Sequence, residues 1–199
     1  MVGVDEPGLR ERKKADTRAA LRRAAIGLSL ERGPEAVTVS EICAAAGVSP
    51  RTFFNYFAVK EEALFGWDRR LTRQMIRHLA ARPRRESPLT AVRHALLETL
   101  PEFGTDADWP ERTRLITAHP ALQARLAHVI RSSEEELTQA VAERLGVPPT
   151  TVYPQVLAGS AMTAMRSAFV AWTPEDGADA LLTLVGEAFD HLADGLKSP

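Results

Sequence analysis

The chain has 199 residues, 45% hydrophobic and 26% charged, a composition that allows one large globular domain or two small ones. No apolar run approaches the length of a membrane span, the N-terminus lacks the apolar centre of a signal peptide, and the lone Cys43 excludes an internal disulfide framework; together these point to a cytoplasmic protein that does not enter a membrane. The net charge of −1 hides an asymmetry: residues 1–60 carry ten Lys/Arg against seven Asp/Glu, a net of +3, and residues 61–199 carry fifteen against nineteen, a net of −4. A basic N-terminal third suits nucleic-acid binding, and it also fits ordinary variation of surface charge.

In chain order, residues 1–9 read as disordered. A helix follows over about 10–32, with Leu21, Ala24, Ala25 and Leu28 on one face, ended by Gly33-Pro34. The stretch from Thr38 to Lys60 then reads as two short helices joined by a tight turn. Thr38 and Glu41 have the spacing of a capping box, and Val39, Ile42 and Ala46 fall on one face. Gly47 stands where a left-handed terminator is needed, and Ser49-Pro50 restarts a helix at once as N-cap and first helical residue. The second helix spans about 50–56. This is the spacing of a helix-turn-helix that places its second helix in a DNA major groove.

A long helix is expected over about 59–81, with Leu64, Trp67, Leu71, Met75 and Leu79 in register, broken by Arg82-Pro83-Arg84-Arg85. Ser87-Pro88 and Thr173-Pro174 repeat the cap-then-proline device, and Asp108 with Glu111 caps another start. These signals predict helices at about 88–103, 109–118, 120–145, 152–172 and 175–196. Strand signals are absent. The expected architecture is all-α, about nine helices: an N-terminal three-helix helix-turn-helix domain over 10–58, then a helical ligand-binding and dimerisation bundle over 59–199.

On the second helix of the motif, Arg51 can fork onto guanine, Thr52 can touch a thymine methyl or a phosphate, and Asn55 can read adenine. Phe53 and Phe57 suit the core, whereas Phe54 and Tyr56 suit contact with the sugar-phosphate backbone or a methyl. Ser49 caps this helix beside the DNA. Ser40 suits a phosphate or simply a solvated helix face. Arg10, Arg12, Lys13, Lys14 and Arg18 form either an arm near the minor groove or backbone, or a solvated tail.

Beyond the motif, Trp67, Met75, Leu100, Phe103, Trp109, Leu115, Leu126, Met162, Met165 and Phe169 are candidates to line a ligand pocket; such stripes are also what ordinary cores contain. Arg166, with Arg114 and Arg125, is placed among them where an anionic headgroup could be met. In the last two helices, Gly159, Thr163 and Ser167 recur every fourth residue, as do Ser160, Ala164 and Ala168, and apolar residues from Leu181 to Leu192 cover more than one face. That pattern predicts a homodimer through these helices. The five histidines have no metal-ligand spacing, Cys43 has no partner, and no catalytic or cofactor motif is present; no metal, no cofactor and no enzymatic activity are expected.

Thr38 to Lys60, preceded by a basic helix and Gly33 and followed by Lys60-Glu61-Glu62-Ala63-Leu64-Phe65 opening a helix, resembles the TetR family of bacterial repressors over residues 10–66. The resemblance implies DNA contact by the matching positions of the second motif helix, and a phosphate clamp at Lys60 with the amides of its helix start. Two positions depart from the family pattern: Ser29, where an aromatic residue is usual, and Val59, where a capping residue is usual. The segments Arg51 to Phe57, Arg112 to Arg125 and Ala142 to Pro149 resemble the branch of regulators of the mycofactocin system, which implies acyl-CoA-like ligands. The expected function is a homodimeric transcriptional repressor that binds near-palindromic double-stranded DNA and is released by a small apolar or amphipathic ligand. The alternative is a constitutive DNA-binding protein without effector.

Overall fold

The computed structural model of the chain describes residues 9–67, 69–102, 108–173 and 177–196. Among these there are nine α-helices and no strand: α1 Leu9–Arg32, α2 Val39–Ala46, α3 Pro50–Phe54, α4 Arg69–Ala81, α5 Pro88–Thr99, α6 Trp109–Ala118, α7 Pro120–Leu145, α8 Val152–Ala171 and α9 Gly177–Ala193. Two short 3₁₀ helices, Lys60–Leu64 and Leu100–Glu102, lie between them. The chain divides into two compact units. One runs up to Gly66 and takes in Glu111–Gln123; the other comprises Trp67–Pro110 and the chain from Ala124 onward.

In the first unit, α1 packs on α2 and on the 3₁₀ turn at Lys60–Leu64, and α2 packs on α3. Leu21, Ala25 and Ile26 of α1, Ile42 and Cys43 of α2, and Phe53, Phe57, Ala63, Leu64 and Phe65 are buried there. Ser29 is buried as well, at the position where the family carries an aromatic residue. Burial pushes the Cys43 thiol up, away from the reactive thiolate.

The long helix expected over 59–81 is not continuous. Ala63, Leu64, Phe65, Gly66 and Trp67 are five buried residues in a row, and a helix with one apolar face cannot bury five consecutive side chains. The chain instead makes a 3₁₀ turn, extends at Phe65 (φ −94°, ψ 141°), and starts α4 only at Arg69. Val59 is the N-cap of that turn and makes no side-chain cap bond. Glu62 compensates from inside the turn: its carboxylate accepts from the Ala58 amide at 2.8 Å.

The other differences are at helix ends. α5 stops at Thr99 rather than 103, and the chain tightens into the 3₁₀ turn that contains Pro101, a residue without an N–H to continue an α-helical ladder. α8 stops at Ala171 because Trp172 turns extended and is buried, its indole N–H donating to the Gly177 carbonyl at 2.9 Å. α3 ends at Phe54, two residues early, and α9 ends at Ala193. The Ser87-Pro88 start is as expected: the Ser87 hydroxyl accepts from the Thr90 amide at 3.1 Å. The Thr173-Pro174 device reaches into residues outside those described.

In the second unit α5 packs on α4, α8 and α9, and α8 packs on α9. A buried polar knot joins α4 to α7: the Trp67 indole donates to Thr72 Oγ1 at 3.0 Å and Ser133 Oγ at 3.1 Å, and the two hydroxyls lie 2.8 Å apart. At the α4–α5 turn Arg82 pairs with Glu86 and Glu98. That arginine holds the Glu86 carboxyl down to about 2. Arg144 of α7 donates to the carbonyls of Arg82, Pro83 and Glu86.

Candidate nucleic-acid interface

The frame that presents α3 is made by local chemistry. Thr38 Oγ1 accepts from the Glu41 amide at 3.3 Å, and the Glu41 carboxylate accepts from the Thr38 amide at 2.8 Å, so both halves of the capping box form. Arg32 of α1 donates to the same carboxylate at 2.7 Å. These partners, Arg32 first and then Thr38, hold the Glu41 carboxyl down at about 2 from the usual 4.5. α2 ends at Gly47 in the left-handed region (φ 67°, ψ 32°), where the Val48 amide turns back to the Cys43 carbonyl at 3.0 Å.

Two residues later Ser49 caps α3, its hydroxyl accepting from the Thr52 amide at 3.2 Å with Pro50 in the first turn. The Ser49 and Thr52 hydroxyls lie 2.9 Å apart. Thr52 therefore turns its hydroxyl to its own cap and keeps a methyl as its other surface.

α3 divides cleanly. Phe53 and Phe57 are buried, with ring centroids 5.4 Å apart, and anchor the helix to the core of its unit. Pro50, Arg51, Phe54 and Asn55 are exposed. Arg51, Phe54 and Asn55 stand three and four residues apart, on one face of the helix. Phe54, 57% exposed, meets Phe53 edge to face at 5.5 Å and otherwise offers its ring outward. Ser40 is exposed on α2, and Tyr56 is half-buried just past α3.

Arg18 ties α1 to this end of the motif. Its guanidinium lies over the Phe57 ring, 4.6 Å from the centroid, and donates to the Tyr56 carbonyl at 3.4 Å. One turn on, Arg22 donates to the carbonyls of Phe65 and Gly66 at 2.7 and 3.0 Å. Neither role is visible in spacing, because the partners, backbone carbonyls and the Phe57 ring, lie far along the chain.

Lys60, the residue implied as a phosphate clamp, directs its ammonium inward. It donates to the carbonyls of Pro34, Glu35 and Val37 at 2.8, 3.2 and 2.7 Å. An ammonium has three protons, so this set engages all of them on the loop between α1 and α2. The structure thus places Ser49, Arg51, Thr52, Phe54, Asn55 and Tyr56 together on and beside α3, and gives Lys60 a loop-holding position.

The ligand candidates are not all brought together. Leu115 belongs to the first unit, where it is buried with Arg112 and Leu122, although nothing in the sequence marks residues 111–123 as part of that unit. Trp67, Met75, Leu100, Met162 and Met165 are buried in the second unit; Leu126 and Phe169 are half-buried and Arg166 is exposed. Arg114 and Arg125 are exposed too. Phe103 and the side chain of Trp109 lie outside the described residues.

Comparison with known proteins fits this architecture. Residues 21–65 match the family of bacterial regulatory proteins, tetR family, and residues 86–197 match the MftR C-terminal domain. The chain is 38% identical over 151 residues to the HTH-type transcriptional regulator TcmR of Streptomyces glaucescens, a match covering 71% of this chain and 66% of that protein. It is 30% identical over 187 residues, 93% of both chains, to a mycofactocin biosynthesis transcriptional regulator, MftR, of Mycobacterium tuberculosis. Its fold is similar to that of a transcriptional regulator from Aquifex aeolicus VF5, with a TM-score of 0.50 at 14% identity over 89% of this chain and 98% of the other. With a family match over each unit and a relative spanning nearly its whole length, the chain belongs to the TetR family of transcriptional regulators.

Proposed function

We propose that this TetR-family regulator is a cytoplasmic repressor whose α3 reads a near-palindromic operator, and which a small apolar or amphipathic ligand releases. The observation that carries the reading is the outer face of α3. Arg51, Phe54 and Asn55 lie exposed on one side of a helix whose other side is locked into the core by Phe53, with Phe57 buried just past its end. In this proposal Arg51 and Asn55 meet base edges, Thr52 and Phe54 meet methyl groups, and Ser40, Ser49 and Tyr56 meet phosphate or sugar. Lys60 contributes by holding the α1–α2 loop. The functional division is residues 10–58 for DNA and 59–199 for ligand and partner.

Homodimerisation through α8 and α9 belongs to the same proposal. Val152, Tyr153, Val156, Thr163, Ser167 and Val170 are exposed along α8, an apolar and small-residue surface suited to a second copy. For the ligand, a long-chain acyl-CoA is the specific choice. The buried Trp67, Met75, Met162 and Met165 supply adaptable apolar material in the second unit, and the mycofactocin-system relative supports the branch. Release follows by linkage: a ligand that prefers the conformation with badly spaced α3 helices lowers DNA affinity by that preference.

One experiment tests both halves. Selection from random duplex DNA should enrich a near-palindrome with half-sites about one helical turn apart, roughly 34–36 Å. A long-chain acyl-CoA should then release that duplex and raise the melting temperature, with shorter chains weaker because each buried methylene contributes about 0.8 kcal/mol. Failure to enrich any motif contradicts the DNA reading. Enrichment without release or thermal shift removes the acyl-CoA assignment and favours a constitutive DNA-binding protein or another ligand.

A further inference from the structure

We propose that the second unit carries a docking surface for another copy of this chain: the arginine face of α4 in one copy seats on the acidic face of α9 in the next. α4 contains four arginines and no Asp or Glu. Arg69, Arg70, Arg73 and Arg77 are all exposed, and at 3.6 residues per turn they fall within an arc of about 100°. The opposite side of the helix, Leu71, Met75 and Leu79, is buried, so the arginines form an outer wall. Arg70 donates to Gln74 at 3.2 Å. No carboxylate among the described residues forms an ion pair with Arg69, Arg73 or Arg77. This wall stands in the acidic part of the chain, residues 61–199, where fifteen Lys/Arg meet nineteen Asp/Glu.

α9 is the converse. It contains no Lys or Arg. Asp179, Thr183, Glu187 and Asp190 are exposed within an arc of about 80°, opposite the buried Leu181, Val185 and Phe189. Asp194, directly after the helix, is exposed as well. Arg93 of α5 takes up Asp190 at 2.6 Å; Asp179, Glu187 and Asp194 form no ion pair among the described residues. Arg69 and Arg77 are eight residues apart, as are Asp179 and Glu187, about 12 Å along each helix. Two such helices laid side by side bring both pairs into register. The two faces belong to the same unit and form no ion pair with each other within one chain, so it is a second copy that joins them. A lipid surface does not suit the arginine face, because the only other exposed residues of α4 are Ala80 and Ala81, which give nothing to insert. Neither face includes the α8 residues assigned above to the homodimer. Joining unlike faces is head-to-tail and continues from copy to copy. Exposed ion pairs are individually weak. The consequence rests on the DNA reading given above: copies on neighbouring sites of one duplex meet at a raised effective concentration, and the weak contact becomes cooperative occupancy.

The test is sedimentation of the full-length protein without DNA, so its outcome stands apart from the reading of α3. At low salt the weight-average mass should rise with protein concentration, about twofold or more over its dilute value as copies join. At about 1 M salt, where the screening length falls to about 3 Å, the mass should stay constant. The double variant Arg73→Glu, Arg77→Glu should abolish the rise, and so should Glu187→Arg, Asp194→Arg. All four positions are exposed, and Glu and Arg are comparable helix formers, so each variant keeps its fold; its melting temperature checks this. Mixed in equal amounts, the two variants should recover the rise, because their reversed faces are again complementary. A mass that does not rise at low salt, a rise that survives either reversal, or a mixture that stays dissociated would overturn the surface. So would a loss of affinity for duplex DNA confined to the α4 variant, which would make phosphate the occupant of that face instead.

Discussion

Phe54 shows how one side chain narrows what the interface can read. It is a large apolar ring, more than half exposed, beside Arg51 and Asn55 on α3. Having no hydroxyl, it cannot hydrogen-bond a phosphate or a base edge. The apolar feature of a major groove is the thymine methyl. Replacing the facing thymine by uracil should cost about 0.8 kcal/mol, the value of one buried methyl, or about fourfold in affinity. In Phe54→Ala the same replacement should cost nothing. Titrations of the four combinations check this; equal losses in wild type and variant would assign the methyl to another residue, with Thr52 next in line. Lys60 teaches the opposite lesson. Its place after the motif suggests an outward charge, yet its ammonium is taken up by three carbonyls of one loop. Backbone carbonyls leave no trace in a sequence, so such a role can be read only from coordinates.

At the scale of elements, what was legible is what short-range chemistry dictates. Thr38 with Glu41, Gly47, and Ser49 with Pro50 each act within a few residues, and each forms as the sequence implies. The continuous helix over 59–81 failed because apolar periodicity does not register five buried residues in a row; only packing shows that Phe65 and Trp67 must both turn inward. The capping box also carries a pH dependence. The Glu41 carboxyl is held near 2 in the fold against 4.5 ordinarily. A depressed carboxyl adds stability that is fully present above its unfolded value and is lost as pH falls through the folded one. Thermal unfolding followed from pH 5 down to pH 2 should therefore show stability decreasing across that window. Glu41→Gln should flatten part of the decrease; Glu86, held down by Arg82, accounts for a further part in the second unit. A Glu41→Gln profile parallel to that of the wild type would mean that the box does not persist in solution.

For the whole molecule, the small-residue pattern in α8 predicts a homodimer, and of its two rows Thr163 and Ser167 are exposed while Ala164 and Ala168 are buried. Ala164 of α8 and Phe189 of α9 are buried within a single chain, so a charge at either site would damage the fold itself. Val156 and Val170 are 59% and 81% exposed and are the positions at which association can be tested alone. Val156→Glu and Val170→Glu should convert a dimer to a monomer with little change in secondary structure, because an unpaired charge in a desolvated interface costs several kcal/mol. Sedimentation at micromolar concentration checks it; a monomeric wild type contradicts the interface. The addition of residues 111–123 to the first unit was beyond sequence reading, since contacts between segments far apart in the chain leave no local spacing.

The proposed repressor function turns on α3 being the helix that reads bases, with Arg51 as its guanine contact. The direct measurement is the sequence preference of Arg51→Ala, obtained by selection from random duplex DNA beside the wild type. The variant should lose preference at one base position in each half-site, at a cost of about 1–3 kcal/mol, and keep the rest of the motif. A motif unchanged at every position, or weakened equally at all of them, would show that Arg51 only touches phosphate and that another surface of the chain reads the operator.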